Sequence, residues 1–335
     1  MTRRGALTLA AIPWLSGCGH YAAFTLPVEP GGDPSLSFEM EALPEPVLSP
    51  GDGWDSHDAL NPAMVDGHNM LYSGFDGHTW RTGMATSADG IFWRKHGIVL
   101  EPDARSWEGD YIAANGAALS DRGQLWYWYV AGPRELPRIG LWRMAEERRG
   151  PRNPPRREPR PVLEAGPYGS WEERGVADPY VIRIGAYFYM YYLGQDRARR
   201  QRLGLARSAD GVRWEKLRAN PILELGGAGA FDENGLGEPA VWEYGGSYWM
   251  LYTGRDAGEN RRLGLARSTD GVGWKKLPAV FSGAAAWDSK VMCDPSVVLE
   301  GPQIRVWFGG GDVARPDENL HGQIGLAILK PVGGA

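Results

Sequence analysis

The chain predicts an all-β fold, a five-bladed β-propeller, and three features of its 335 residues carry that prediction. One pattern of four strand-like runs recurs five times, with equivalent positions 54, 63, 60 and 56 residues apart. A period of that length marks a stacked or radial repeat. The motif Ser-x-Asp-Gly-x-x-Trp occurs at residues 87–93, 208–214 and 268–274, and Asp-Gly between strand-like runs signals a hairpin, because such turns need positive φ. Fifteen tryptophans, fourteen tyrosines and 47 glycines favour short strands and tight turns.

The N-terminus stands outside this pattern. Arg3 and Arg4 precede a short apolar run, and Leu15-Ser16-Gly17-Cys18 resembles a bacterial lipobox. The run is too short to span a bilayer and reads as a signal peptide over residues 1–17. Cys18 is then the lipidation site, which places the protein on the bacterial cell envelope, anchored and extracytoplasmic. Residues 18–36 are Gly- and Pro-rich and read as a tether. Cys293 is left without a disulfide partner. The net charge of −5 carries no nucleic-acid footprint, and a monomer is expected.

The propeller is expected over residues 37–330. Residues 37–48 look like the outer strand of a repeat that has no beginning, whereas the fifth unit, from Trp287, lacks its outer strand. Pairing the two would close the ring and hide an exposed edge. Units one, three and four begin at Trp54, Trp171 and Phe231 and keep the whole pattern. Unit two, from Trp107, replaces its Asp-Gly hairpin with the Arg/Pro-rich segment 143–161. That segment reads as a solvated loop or as a docking loop for an anionic partner. Trp93, Trp214 and Trp274 read as packing between blades.

In a propeller the first strand of each blade lines the axis. Prolines 62, 179, 239 and 295 suit an inner edge strand, which can lose an N–H. The ring they define is Asn61, Asn115, Asp178, Glu238 and Asp294, with three carboxylates in one funnel, where crowding separates pKa values for acid–base work. His57, Trp80, Asp110 and Arg262 lie at strand ends and are candidates, with Asn61, Asn115 and Asp294, for contacting a ligand.

The units resemble the five-bladed propeller glycoside hydrolases, families 43, 32, 68 and 130, through the Asp-Pro and Glu-Pro first strands and the Gly-Leu-Ala-Arg-Ser-x-Asp-Gly-x-x-Trp run. The resemblance implies cleavage of an oligosaccharide or polysaccharide, with Glu238 as general acid and Asp178 as its pKa modulator. It departs in blade one, where Asn61 replaces the acid expected as base or nucleophile. Three routes follow: Asp58 or Asp55 supplies the missing carboxylate; phosphate attacks, as in inverting phosphorylases; or the protein binds glycan at the envelope without cleaving it. A sialidase-like enzyme fits less well, since its ring has six blades. No metal-binding motif occurs and no cofactor is expected. A central calcium near His321 is an option that the family suggests.

Overall fold

The computed structural model describes residues 21–145, 154–301 and 303–333. Five antiparallel four-stranded blades surround a central axis. Blade 1 comprises Asp58–Met64, Asn69–Phe75, Trp80–Ser87 and Trp93–Leu100. Blade 3 (Val176–Ile184, Tyr187–Gln195, Gln201–Ser208, Glu215–Leu217) and blade 4 (Gly235–Tyr244, Ser247–Arg255, Arg261–Ser268, Lys275–Phe281) follow the same plan. The second strands of these blades are mostly buried on both faces, which is why they read as unbroken apolar and aromatic runs.

The Ser-x-Asp-Gly-x-x-Trp turns hold neighbouring blades together. In the first, Asp89 accepts the N–H groups of Ile91 and Phe92 through one carboxylate oxygen, and the Ser87 hydroxyl accepts Gly90 N–H. The freed Gly90 carbonyl then accepts two indoles, Trp93 from its own blade and Trp307 from blade 5, both at 3.0 Å. Gly211 serves Trp214 and Trp128 of blade 2 in the same way, and Gly271 serves Trp274 and the Tyr191 hydroxyl of blade 3. Gly90 has φ +77°, and a Cβ there would lie 2.8 Å from the Trp307 ring, so glycine is required. The between-blade role expected for the three tryptophans is what the structure shows.

A second device repeats inside the blades. The acid after the opening aromatic residue is buried, accepts a tyrosine hydroxyl from the second strand and pairs with a cation from the outer strand. The sets are Asp55–Tyr72–Lys95, Glu108–Tyr129–Arg157, Glu172–Tyr192–Lys216 and Asp232–Tyr252–Lys276. Blade 5 breaks the rule, with Phe308 in the tyrosine position. Trp54, Trp171 and Trp287 pack over glycine pairs, as in Trp171 against Gly194 and Gly204.

The N-terminal strand Ser37–Ala42 pairs antiparallel with Gln323–Val332, running from Ser37 opposite Val332 to Ala42 opposite Ala327. It completes blade 5 as the sequence predicts. Two expectations need correction. Residues 21–36 are no free tether: Tyr21–Ala22 pairs parallel with Glu215–Leu217, Leu26 is buried among Tyr191 and Tyr248, and Pro27 accepts the Tyr248 hydroxyl. Two apolar side chains, Phe24 and Leu26, dock the segment despite its loop-like composition. The Arg/Pro-rich segment, in turn, is not all loop. Arg156–Arg157 forms the outer strand of blade 2 against Trp142 and Arg143, while residues 146–153 lie outside the described residues, as does Cys18.

Phe38 is the one buried side chain of the closing strand. It is buried and meets the rings of Trp242, Tyr244 and Trp249 edge-on at 4.7–5.7 Å. Phe38→Ala is expected to lower stability by about 3–5 kcal/mol in urea unfolding. A loss under about 1 kcal/mol would mean that blade 5 closes without it.

Candidate active site

Each first strand carries a bulge where pairing with the second strand slips: between Leu60 and Ala63, Ala114 and Ala117, Ala177 and Tyr180, Gly237 and Ala240, and Cys293 and Ser296. At each slip one residue is left-handed: Asn61, Asn115, Asp178, Glu238 and Asp294, with φ of 51°, 49°, 48°, 45° and 50°. Bulges of this kind re-aim a side chain, and here all five turn toward the axis. The ring divides the channel in two. Above it is a cavity of about 350 Å³. Below it is a cavity of about 500 Å³ lined largely by apolar residues such as Val65, Leu119, Ile182 and Leu299.

The ring is wired through its own backbone. The Asn115 side-chain amide donates to Asp178 at 2.6 Å, and Glu238 N–H donates to the same carboxylate. The Asn61 N–H and the Cys293 thiol donate to Asp294. Burial raises Asp178 well above the usual carboxylate range, with the charges of Glu238 and Asp294 adding to it. Burial and the Glu238 charge push Asp294 up to about 7, partly offset by the Cys293 thiol, Arg261 and the Asn61 N–H. One Glu238 oxygen, Oε2, is buried without a hydrogen-bond partner among the described residues. Glu238, Cys293 and Asp294 bring one ligand atom each within 4.8 Å of one another. That spacing would suit a soft divalent cation, but the Arg261 guanidinium lies close enough to all three to be favoured by their charges, and it opposes a second cation.

Of the residues expected at the site, Asn61, Trp80, Asn115, Asp178, Glu238 and Asp294 line the upper cavity. Trp80 stacks on Phe75 at 4.8 Å. Asp58 does not line it. Its carboxylate is fully buried and accepts the N–H groups of Asn319, Leu320 and Gly322 at 2.6, 3.0 and 2.7 Å. These bonds saturate it as an anchor for the 312–322 loop, which rules it out as the missing base in this geometry. Asp55, engaged with Tyr72 and Lys95, is equally unavailable. His57, Asp110 and Arg262 also lie outside the cavity lining, and His321 pairs with Asp312 away from it.

The sequence reading missed Arg261 by one position. In blades 1, 3 and 4 the last residue of the second strand faces the first residue of the third: Phe75 with Trp80, Gln195 with Gln201, Arg255 with Arg261. Trp80, Gln195, Gln201, Arg255 and Arg261 of these pairs, rather than the residue after them, edge the cavity. Side chains alternate along a strand, so Arg81 and Arg202, one step on, bind acids of their own blades, Asp76 and Asp196. Trp80, already assigned to the mouth, was the signal that could have set the phase. Arg134, Arg174 and Arg199 also line the cavity, with Arg134 paired to Asp317 and Glu318.

Known proteins resemble the chain at two levels. Solved structures share the fold. One is a glycosyl hydrolase from Bacteroides ovatus (17% identity, TM-score 0.68, 88% of this chain and 94% of that one). Others are Zg3597, a family 117 glycoside hydrolase of Zobellia galactanivorans (15%, 0.64, 87% and 90%), and the Bombyx mori GH32 beta-fructofuranosidase BmSUC1 (16%, 0.60, 85% and 61%). Two uncharacterized Mycobacterium tuberculosis proteins, MT1551 and Rv1502, are 29% identical over 159 residues, covering 44% of this chain and 52% of theirs. The chain thus spans about half the length of the curated relatives it matches. The family model for the glycosyl hydrolases family 32 N-terminal domain matches residues 68–302. With more than two thirds of its length in that match and a ring of acids at the axis of five blades, the chain belongs to the glycosyl hydrolases family 32 N-terminal domain family and is a propeller of the glycoside hydrolase type.

Proposed function

We propose that the protein cleaves a glycosidic bond in an oligosaccharide held in the upper cavity. The observation that carries this reading is the run of three carboxylates, Asp178, Glu238 and Asp294, on one cavity floor with Oε2 of Glu238 unpartnered. Glu238 is the general acid. Asp294 takes the place of the carboxylate that Asn61 lacks, and Asp178, which accepts the Glu238 N–H, positions it. Carboxylates about 5–5.5 Å apart suit a double displacement, and wider pairs admit a water between them. Oxygens of Glu238 and Asp294 within 4.8 Å favour the first. In that scheme Glu238 protonates the leaving oxygen while Asp294 bonds to the anomeric carbon. Water deprotonated by Glu238 then displaces Asp294 and restores both groups.

Asn61 also favours a second reading, glycan binding without turnover, and one experiment separates the two. Glu238→Gln is expected to cut turnover of an aryl glycoside at least about a hundredfold. Asp58→Asn is expected to spare kcat but to lose about 1–3 kcal/mol of stability, because three N–H donors lose part of a shared carboxylate. Binding with no wild-type turnover across a panel of aryl glycosides and oligosaccharides would establish the binding module.

Asp294 must be ionised to attack. Its raised pKa therefore predicts that kcat/KM climbs with pH through about 7. An acidic limb near the ordinary carboxylate value, about 4, would remove Asp294 from the reaction.

We also propose that the protein works at the envelope, anchored by lipid on Cys18. Since Tyr21 already pairs with blade 3, the anchor would hold the outer edge of that blade at the membrane. Wild-type protein from a bacterial host should enter the detergent phase on partitioning and Cys18→Ser should not; equal partitioning would sink the anchor.

A further inference from the structure

The 312–322 loop sets the side from which a chain can reach the upper cavity. It leaves blade 5 and is tied to three other blades. In blade 4, Arg261 donates to the carbonyls of Arg315 and Pro316. In blade 1, Asp58 holds Asn319, Leu320 and Gly322, and Leu320 packs with Phe75 and Trp80. In blade 2, Arg134 pairs with Asp317 and Glu318, and the Tyr111 hydroxyl donates to Glu318 at 2.7 Å. Pro316 and Asp317 of the same loop line the cavity. The rim is therefore built up over blades 4, 5, 1 and 2. No hydrogen bond or ion pair joins the loop to blade 3 among the described residues.

On the blade 3 rim stands Tyr168, 82% exposed. The Arg197 guanidinium lies 4.1 Å over its ring and donates to its hydroxyl at 2.7 Å. Arg197 is held in turn by Glu173 at 2.9 Å, and the other Glu173 oxygen accepts Gly169 N–H at 2.6 Å. Arg174, next to Glu173, and Arg199, in the same turn as Arg197, line the cavity. A single exposed aromatic residue is ordinary, but blade 4 shows that these turns do not require one. There Gly229 N–H donates to Glu233 at 2.6 Å, as Gly169 does to Glu173. Glu259 N–H donates to the Asp256 carbonyl at 3.0 Å, as Arg199 does to Asp196 at 2.9 Å, and both residues are left-handed, with φ of 63° and 62°. Yet Ala228 stands where blade 3 has Tyr168, and Ala257 where it has Arg197. The ring and its clamp are additions to a turn that closes without them.

A flat ring already fixed by its neighbours meets a ligand with little further loss of freedom. The C–H groups on one face of a sugar ring offer it an apolar partner, and burying both removes apolar surface from water. We propose that Tyr168, clamped by Arg197 and Glu173, is a distal sugar platform. The end of an oligosaccharide then sits among the acids at the axis, the chain leaves over blade 3, and a sugar further along stacks on Tyr168. The protein therefore prefers chains long enough to reach from the axis to that rim. This inference rests on the carbohydrate reading of the cavity but not on cleavage.

The probes are a disaccharide and a hexasaccharide from each of mannan, fructan, arabinan and galactan. Binding is measured by calorimetry on the full chain carrying Glu238→Gln, so that the probes stay intact. In the series that binds, the hexasaccharide is expected to bind at least about fivefold tighter than the disaccharide. Adding Tyr168→Ala should bring the two affinities within about twofold of each other. Tyr168→Phe, which keeps the ring, should preserve the gap. Arg197→Ala, which frees the ring to move, should narrow it. An unchanged melting temperature in Tyr168→Ala is expected from the alanine that blade 4 carries at this place, and it separates a lost platform from a damaged fold. Equal affinity for short and long chains overturns the proposal and leaves the carbohydrate reading standing, as does a gap that survives Tyr168→Ala. Binding of no sugar in any series defeats both.

Discussion

One backbone conformation, repeated five times, governs what lies at the axis. A straight strand would send alternate side chains into the channel and into the blade. The left-handed residue at each bulge breaks that alternation and swings one extra side chain inward. Asparagine and aspartate tolerate this conformation better than other residues, and four of the five positions hold one of them. Glu238 is the exception. A longer side chain in a conformation that does not favour it signals that reach matters at that point, since strain of this sort persists only where the surroundings impose it. The proline that follows four of the five removes an N–H that the bulge could not have paired.

The same geometry sets the electrostatics. Because the ring residues are turned inward at one height, two of their N–H groups fall beside the carboxylate of the previous blade, while that of Asn115 meets the Ser73 hydroxyl. Glu238 N–H thus supports Asp178, and Asn61 N–H supports Asp294 across the closure of the ring. Those donors favour the charged forms, yet burial and mutual repulsion outweigh them at both acids. Asn61 and Asn115 keep the ring from becoming five carboxylates, which no single arginine could hold. Asn115 replaces a charge with a donor aimed at Asp178.

What the sequence disclosed follows from what repeats. Blade number, ring positions, Asp-Gly turns and the borrowed outer strand all recur with a period, and a period can be read without coordinates. The acids of the ring were legible because proline and strand position fixed their phase. What differs between blades was not legible in this way. Asp58 looked like a spare carboxylate because nothing in the chain joins it to Asn319, Leu320 and Gly322, more than 260 residues away. Arg262 was chosen over Arg261 because the strand's first inward residue depends on a hairpin register that the sequence leaves open by one. Leu26 was overlooked because a single apolar residue in a Gly/Pro stretch carries no periodicity, although it fills a site between two blades.

The borrowed strand has a consequence for how the domain comes into being. Ser37–Ala42 is made early and Gln323–Val332 nearly last, so the borrowed strand must wait, unpaired, for almost the whole domain to be synthesised. Contacts between such distant segments are slow to form and leave strand edges exposed meanwhile. Until the two strands pair, blade 4 has no Phe38 against Trp242 and Trp249, and blade 5 lacks its outer strand and keeps an open side. Assembly therefore ends in one late step in which the two extremities of the propeller find each other.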